Sequence, residues 1–369
     1  MLITRLSLIS GLLLIGISNA LAASSYQIVD LGTFSGATKA YALNDSGQVV
    51  GESSGKAFLY SGGALLDMGT LGGTTAVAYG INNSGVVVGA SAMSSGASHA
   101  FSWNGVQQDL GTLTIGTAPS TVSFLSSAAL DINASGKAVG SSSRDFPNPF
   151  TNSTMVAFDN GSVVRPPYTS SGVLYANNDS GLMVGTDNGH GLLFTGTGFM
   201  EIPAFCGGGF CGSDARDINN LGLVVGDATV NGLNNYRHAI SYDSNNALLT
   251  DLGALTGGSS SRAYALNESG QIVGWSASSV GNRAFLYESG AMIDLNSVID
   301  PATGWALQEA QDINESGQIV GWGLHNGQIR GFLLTPVPEP QSWQLMFSGI
   351  ALIAWATRRY GLTRNARIG

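Results

Sequence analysis

One ten-residue pattern recurs seven times between Ala42 and Gly321, and it limits what the chain can fold into more than any other feature. It is Asn-x-x-Gly, then a β-rich triplet ending in Val, then Gly. The copies are ALNDSGQVVG from Ala42, GINNSGVVVG from Gly80, DINASGKAVG from Asp131, ANNDSGLMVG from Ala176, DINNLGLVVG from Asp217, ALNESGQIVG from Ala265 and DINESGQIVG from Asp312. Their turn glycines, from Gly47 to Gly317, are separated by 38, 51, 45, 41, 48 and 47 residues, a mean of 45. Each copy reads as a β-hairpin: Asn caps its own turn, two permissive residues follow, and Gly takes the left-handed position of a bulged hairpin.

Two more strands follow in most units. The third is KAFLY from Lys56, HAFSW from His99, HAISY from His238 or RAFLY from Arg283; the fourth is LLDMG from Leu65 or LLTDLG from Leu248. Four short strands in about 45 residues is the size of a propeller blade. The seventh unit has a third strand, RGFLL from Arg330, but no fourth, while YQIVDLG at Tyr26–Gly32 matches a fourth strand placed before the first hairpin. The expectation is therefore an all-β, seven-bladed β-propeller of four-stranded blades closed by the N-terminal strand, since closure leaves no free edge between the chain ends. An open β-solenoid is the alternative.

The first strand of each unit supports this. Four residues before each motif Asn stand Ala40, Ala78, Ala129, Leu174, Ala215, Ala263 and Ala310, while alternate positions carry bulkier groups such as Tyr41 and Tyr264. One small and one bulky face suit strands converging on an axis. Composition agrees: 52 of 369 residues are Gly and only 11% are charged, and fourteen of those glycines fall in the Asn-x-x-Gly and Val-Gly sites. With 44% hydrophobic residues the chain is no disordered polyelectrolyte, and apolar runs of membrane length are confined to its two ends.

Residues 1–22 carry Arg5, an apolar stretch and an A-x-A cleavage pattern, which reads as a secretory signal peptide. At the other end, Ser342–Thr357 is apolar and Arg358, Arg359, Arg364 and Arg367 follow. A helix over 342–357 would span roughly 24 Å, with snorkelling arginines covering the rest of the bilayer and holding that end cytoplasmic. The exported body, residues 23–340, then holds ten basic against 24 acidic residues, a net charge of −14. That argues against a nucleic acid or an anionic membrane surface as partner.

Val337-Pro338-Glu339-Pro340, the apolar span and the Arg cluster together resemble the PEP-CTERM protein-sorting tail of Gram-negative bacteria. The resemblance implies that an exosortase-type membrane enzyme recognises Pro338, Glu339 and Pro340 and removes the tail, in a producer of extracellular polysaccharide. The prolines keep the segment extended, as a processing cleft requires. The repeat itself, over about residues 26 to 335, resembles the HAF family of extracellular repeats, named for the motif seen here as His99-Ala100-Phe101. Lys56, Arg283 and Arg330 replace the His in other units, which weakens any role for it as a ligand. The expected organisation is thus a signal peptide (1–22), a HAF-repeat propeller (23–335) and a sorting tail (336–369) with its transmembrane helix.

Few residues suggest chemistry. Cys206 and Cys211 frame FCGGGFC, and in an exported protein two cysteines most simply form a disulfide. Asp131, Asp217 and Asp312 occupy one equivalent first-strand position in units three, five and seven, so a closed ring would hold them near the axis at similar height. They are candidates for a cation or polar-ligand site at the channel mouth; otherwise each binds a turn amide of its own or the next blade. The residues after the motif Asn, from Asp45 to Glu315, vary too much for calcium loops, Ala134 above all, and read as solvated turn positions. Four His and no Gly-x-Ser-x-Gly or His-Glu-x-x-His pattern give no catalytic signature, and no metal or cofactor is expected. Trp103, Trp275, Trp305 and Trp322 either stack on sugars at a rim or pack between blades.

The functional expectation is an exported module, anchored in the inner membrane as a precursor and then placed at the cell surface or in its matrix, that binds or builds and does not catalyse, with extracellular polysaccharide as the partner. A polysaccharide-active propeller enzyme, hydrolase or lyase, is the alternative.

Overall fold

Each motif turn folds as its residues dictate. The turn Gly donates its N–H to the Asn carbonyl, as from Gly47 to Asn44 at 2.9 Å, and all seven turn glycines hold φ between 73° and 88°. In that region only glycine is unstrained. The hairpins so fixed are the first two strands of seven four-stranded antiparallel sheets. The computed structural model describes residues 26–116, 120–144, 150, 152–167, 171–205, 211–231 and 236–337, and its compact unit is Tyr26–Val337. The expected signal peptide, the expected helix over 342–357 and the expected sorting residues Pro338, Glu339, Pro340, Arg358 and Arg359 lie outside the described residues; Val337 is the last inside them. Among the described residues no helix is long and apolar enough to cross a membrane.

The first, innermost strands of blades 1 to 7 are Thr38–Leu43, Gly72–Ile81, Ser126–Ile132, Val173–Asn177, Ser213–Ile218, Ser261–Leu266 and Trp305–Ile313. In blades 1 to 6 the four strands follow in sequence order. In blade 7 the outer position is taken by Tyr26–Asp30, which pairs antiparallel with Gln328–Pro336. His325 fastens that strand through Asp30, 2.8 Å away, and Trp305 stacks on the imidazole at 4.5 Å.

The core is divided among the seven junctions between blades. Each junction has its own cluster of buried side chains, from Val50, Leu59, Ile81 and Phe101 between blades 1 and 2 to Leu43, Phe58, Val320 and Leu333 between blades 7 and 1. Both faces of each sheet are thereby covered, which is why strands such as Val49–Ser53 are buried almost throughout instead of alternating.

Strict alternation fails in the first strands, and in all seven for the same reason. A β-bulge interrupts each one between the residue four before the motif Asn and the residue two before it, as between Ala40 and Ala42. The extra residue is Tyr41, Tyr79, Leu130, Tyr175, Arg216, Tyr264 or Gln311. The bulge also explains the Gly after Val. A Cβ on Gly51, Gly140, Gly274 or Gly321 would lie 2.0–2.1 Å from a first-strand carbonyl oxygen. These glycines answer a close approach of backbones inside the sheet.

Candidate functional site

An innermost strand has no partner on its inner side, so its polar backbone groups face the channel and need other partners. Side chains of the repeat supply them in three ways, all at the channel end formed by the Asn turns.

The motif asparagines, 2–7% exposed, form a closed ring. Asn44 donates its side-chain amide to the carbonyl of Asn82, Asn82 to Asn133, Asn133 to Asn178, Asn178 to Asn219, Asn219 to Asn267, Asn267 to Asn314, and Asn314 back to Asn44, all at 3.0–3.3 Å. Each Oδ1 also accepts the N–H four residues on, at 2.9–3.1 Å, which holds its own hairpin. One residue type thus makes the turn and joins it to the next blade.

The residues after the asparagines form an outer ring. The N–H of Asp45 donates to the side chain of Asn83, Ala134 to Asp179, Asp179 to Asn220, Asn220 to Glu268, Glu268 to Glu315 and Glu315 to Asp45. These exposed positions are therefore more than solvated turn residues. Asp, Asn and Glu interchange because each offers an acceptor, and the ring lacks the step from Asn83 because Ala134 offers none.

Asp131, Asp217 and Asp312 serve the amides just before the asparagines. One oxygen of Asp131 accepts the N–H of Asn177 in the next blade at 2.9 Å, one of Asp217 that of Leu266 at 2.9 Å, and one of Asp312 that of Leu43 at 2.8 Å. The other oxygen serves the following residue of the same strand, Ile218 and Ile313 at 2.8 Å and likewise Ile132. Three carboxyls with two oxygens each cover six of the seven equivalent amides; that of Ile81 is the seventh, since its own blade carries Gly80 and the blade before it Ala42 at the aspartate position. This accounts for Asp in blades 3, 5 and 7 and Ala or Gly in blades 1, 2, 4 and 6.

The three carboxyls are ringed by protein at the neck of the channel, next to a 230 Å³ hollow lined by Asp131, Asp217 and the turn residues. Desolvation dominates there and lifts Asp131 to about 6, Asp312 to about 7 and Asp217 to about 8. Mutual repulsion adds to it: Asp131 and Asp312 raise Asp217, Asp131 and Asp45 raise Asp312, and Asp179 raises Asp131, against the lowering by the amides they accept. Among the described residues no three His, Cys, Asp or Glu groups are placed to hold a metal ion.

The opposite channel end is built differently, and sequence reasoning missed it. Arg216 reaches Asp214 at 2.5 Å and lies over the Tyr175 ring at 3.9 Å. Asp227, almost fully buried, is held by Arg237 and by Arg262 at 2.5 Å. Glu309 bonds to Tyr264, Trp322 and Gln311, with Lys39 over the Trp322 ring at 4.1 Å. Burial raises both Glu309 and Asp214, opposed by Lys39 and Arg216 respectively. Tyr41 and Tyr79 sit 5.7 Å apart; burial, helped by Glu52, pushes Tyr79 up to about 12 and Tyr41 higher still.

The remaining candidates are dispersed. His99, His190 and His238 lie on third strands and contact Asp109, Glu201 and Asp251 on fourth strands at 3.0, 2.5 and 3.0 Å, as Lys56 contacts Asp67 at 2.6 Å. The head of the motif is thus a cross-strand partner, which a Lys fills as well as a His. Trp103 packs between blades 1 and 2, Trp305 in the junction of blades 6 and 7, and Trp275 lies opposite Arg262. Cys206 lies outside the described residues, so the expected Cys206–Cys211 pair falls partly beyond them.

A family model described as a protein of unknown function (DUF3466) is similar to residues 206–330, about a third of the chain. No curated protein matches. Among solved structures the chain is similar to a putative oxidoreductase (glucose dehydrogenase) of Thermus thermophilus, at 9% identity and a TM-score of 0.38, over 84% of this chain and 99% of that one.

Proposed function

We propose that this chain is an exported, surface- or matrix-associated propeller that acts as a non-catalytic binding or structural module, with extracellular polysaccharide as its partner. The observation that carries the reading is the use made of the channel-mouth carboxyls. Both oxygens of Asp131, Asp217 and Asp312 accept backbone amides, one within the blade and one across to the next. Such groups stitch a scaffold together. Export, anchoring and release by an exosortase-type enzyme at Pro338, Glu339 and Pro340 belong to the same proposal, as does a Cys206–Cys211 disulfide, and they rest on the sequence of the chain ends and the spacing of the cysteines.

The test is to offer the purified exported protein the exopolysaccharide of its own host, on a glycan array and by pull-down, and to assay the supernatant for new reducing ends and unsaturated sugars. Saturable binding without product is expected; no binding to any glycan removes the reading. One observation favours the second reading, a polysaccharide-active hydrolase or lyase: carboxyls raised to between about 6 and 8 match what a general acid needs. Released product that disappears on Asp217→Ala replacement would establish that reading instead.

A further inference from the structure

The geometry points to a binding cleft for a short neutral oligosaccharide at the channel end opposite the Asn ring, lined by the first strand of blade 2 from Gly72 to Tyr79 and by Phe150. This deepens the polysaccharide-binding reading and rests on it. Between the pairs Gly72 with Met93 and Ala76 with Ser91, the three residues Gly73, Thr74 and Thr75 stand against Ala92 alone. This wide irregularity splays the strand and borders a cavity of about 640 Å³, a size usual for small-ligand pockets.

Its lining has the chemistry of sugar recognition. Tyr79 and the exposed Phe150 meet edge to face at 6.3 Å, and Tyr41 continues the aromatic surface at 5.7 Å from Tyr79. Aromatic faces take up the C–H faces of pyranose rings, and the hydroxyls of Thr74, Thr75, Ser94 and Ser98 around the cavity match ring hydroxyls. Gly72, Gly73 and Gly96 leave part of the wall as bare backbone. With its acidity lowered by burial and Glu52, Tyr79 keeps its proton and remains a donor.

Charge selects a neutral ligand. The cations at this channel end, Lys39, Arg216, Arg237 and Arg262, are matched by the anions Glu52, Asp214, Asp227 and Glu309, and most are in direct contact with one another. Among these described residues four cations stand against four anions, so as a group they offer an ionic sugar no net charge. The net charge of −14 on the exported body repels a polyanion approaching from solvent.

The test is calorimetric titration of the intact exported protein with three neutral glucose tetrasaccharides, cellotetraose, laminaritetraose and maltotetraose, and with tetragalacturonate. Binding of at least one neutral tetrasaccharide is expected, at least tenfold tighter than tetragalacturonate. Tyr79→Ala should weaken it at least tenfold. Thr75→Arg, at an exposed position that leaves the core untouched, should weaken it by filling the cavity, so the inference stays testable if Tyr79→Ala does not fold. Unchanged affinity in both variants, preference for tetragalacturonate, or no binding of any neutral tetrasaccharide overturns the cleft. If host exopolysaccharide still binds in those cases, the broader function stands and only the cleft falls; if nothing binds, both fall.

Discussion

Asn219 shows how much one residue of this repeat does. Its Oδ1 accepts the N–H groups of Leu221 and Leu223, and its amide donates to the carbonyl of Asn267 in the next blade. Asn219→Ala removes all three bonds at a buried position, so a loss of about 3 kcal/mol is expected in urea unfolding. A loss below about 1 kcal/mol would show that the ring is incidental. Only half of this arrangement was legible in the sequence. The local half follows from an Asn two and four residues before its donors, a pattern visible in any one copy. The inter-blade half joins a side chain to a backbone carbonyl 38 to 51 residues onward, or 270 at the closing step, and no residue type marks a carbonyl. The outer ring offers the opposite experiment. Ala134→Asn supplies the acceptor that the N–H of Asn83 lacks in this ring, and it should raise stability by about 0.5 to 1 kcal/mol, read as a higher melting temperature.

At the scale of the strand pair, two sets of glycines alike in sequence are held by different forces. Gly270 sits at φ 81° with open space where a Cβ would go, so Gly270→Ala meets only the left-handed penalty and should cost about 1 to 2 kcal/mol. Gly274 lies in extended backbone, but a Cβ there would lie 2.0 Å from the Arg262 carbonyl oxygen. Gly274→Ala must therefore reopen the bulge, and a loss of about 3 kcal/mol or failure to fold is expected. Equal losses in equilibrium unfolding would refute the distinction. The bulge also explains why the Tyr- and Arg-lined channel end escaped sequence reading. It adds a residue to each first strand, so the side-chain period restarts there, and the added residues range from Leu130 to Arg216 with no common chemistry.

Over the whole ring, the three aspartates make stability depend on pH in a direction unusual for carboxylates. An unfolded Asp titrates near 4, whereas here Asp131, Asp312 and Asp217 are raised to about 6, 7 and 8, by desolvation first and with neighbouring carboxylates adding to it. Between about pH 4 and pH 8 the folded ring therefore holds protons that the unfolded chain has released. Stability from this source is fully present below pH 4 and is lost as pH rises through the folded values. It acts at three junctions at once, because the carboxyls bridge blade 3 to 4, 5 to 6 and 7 to 1. The melting temperature is expected to fall steadily between pH 5 and pH 9. The net charge of −14 over residues 23–340 works in the same direction, since self-repulsion grows as carboxyls ionise, so the slope alone does not identify its source. Asp217→Asn does. It removes the most strongly raised proton site, and its side chain offers one acceptor oxygen where the carboxyl offers two, so it should be less stable at pH 5 yet show a flatter profile up to pH 9. A variant with the same slope as the parent would mean that the carboxyls at the neck ionise as ordinary surface groups do and that the pH response belongs to the charge of the molecule as a whole.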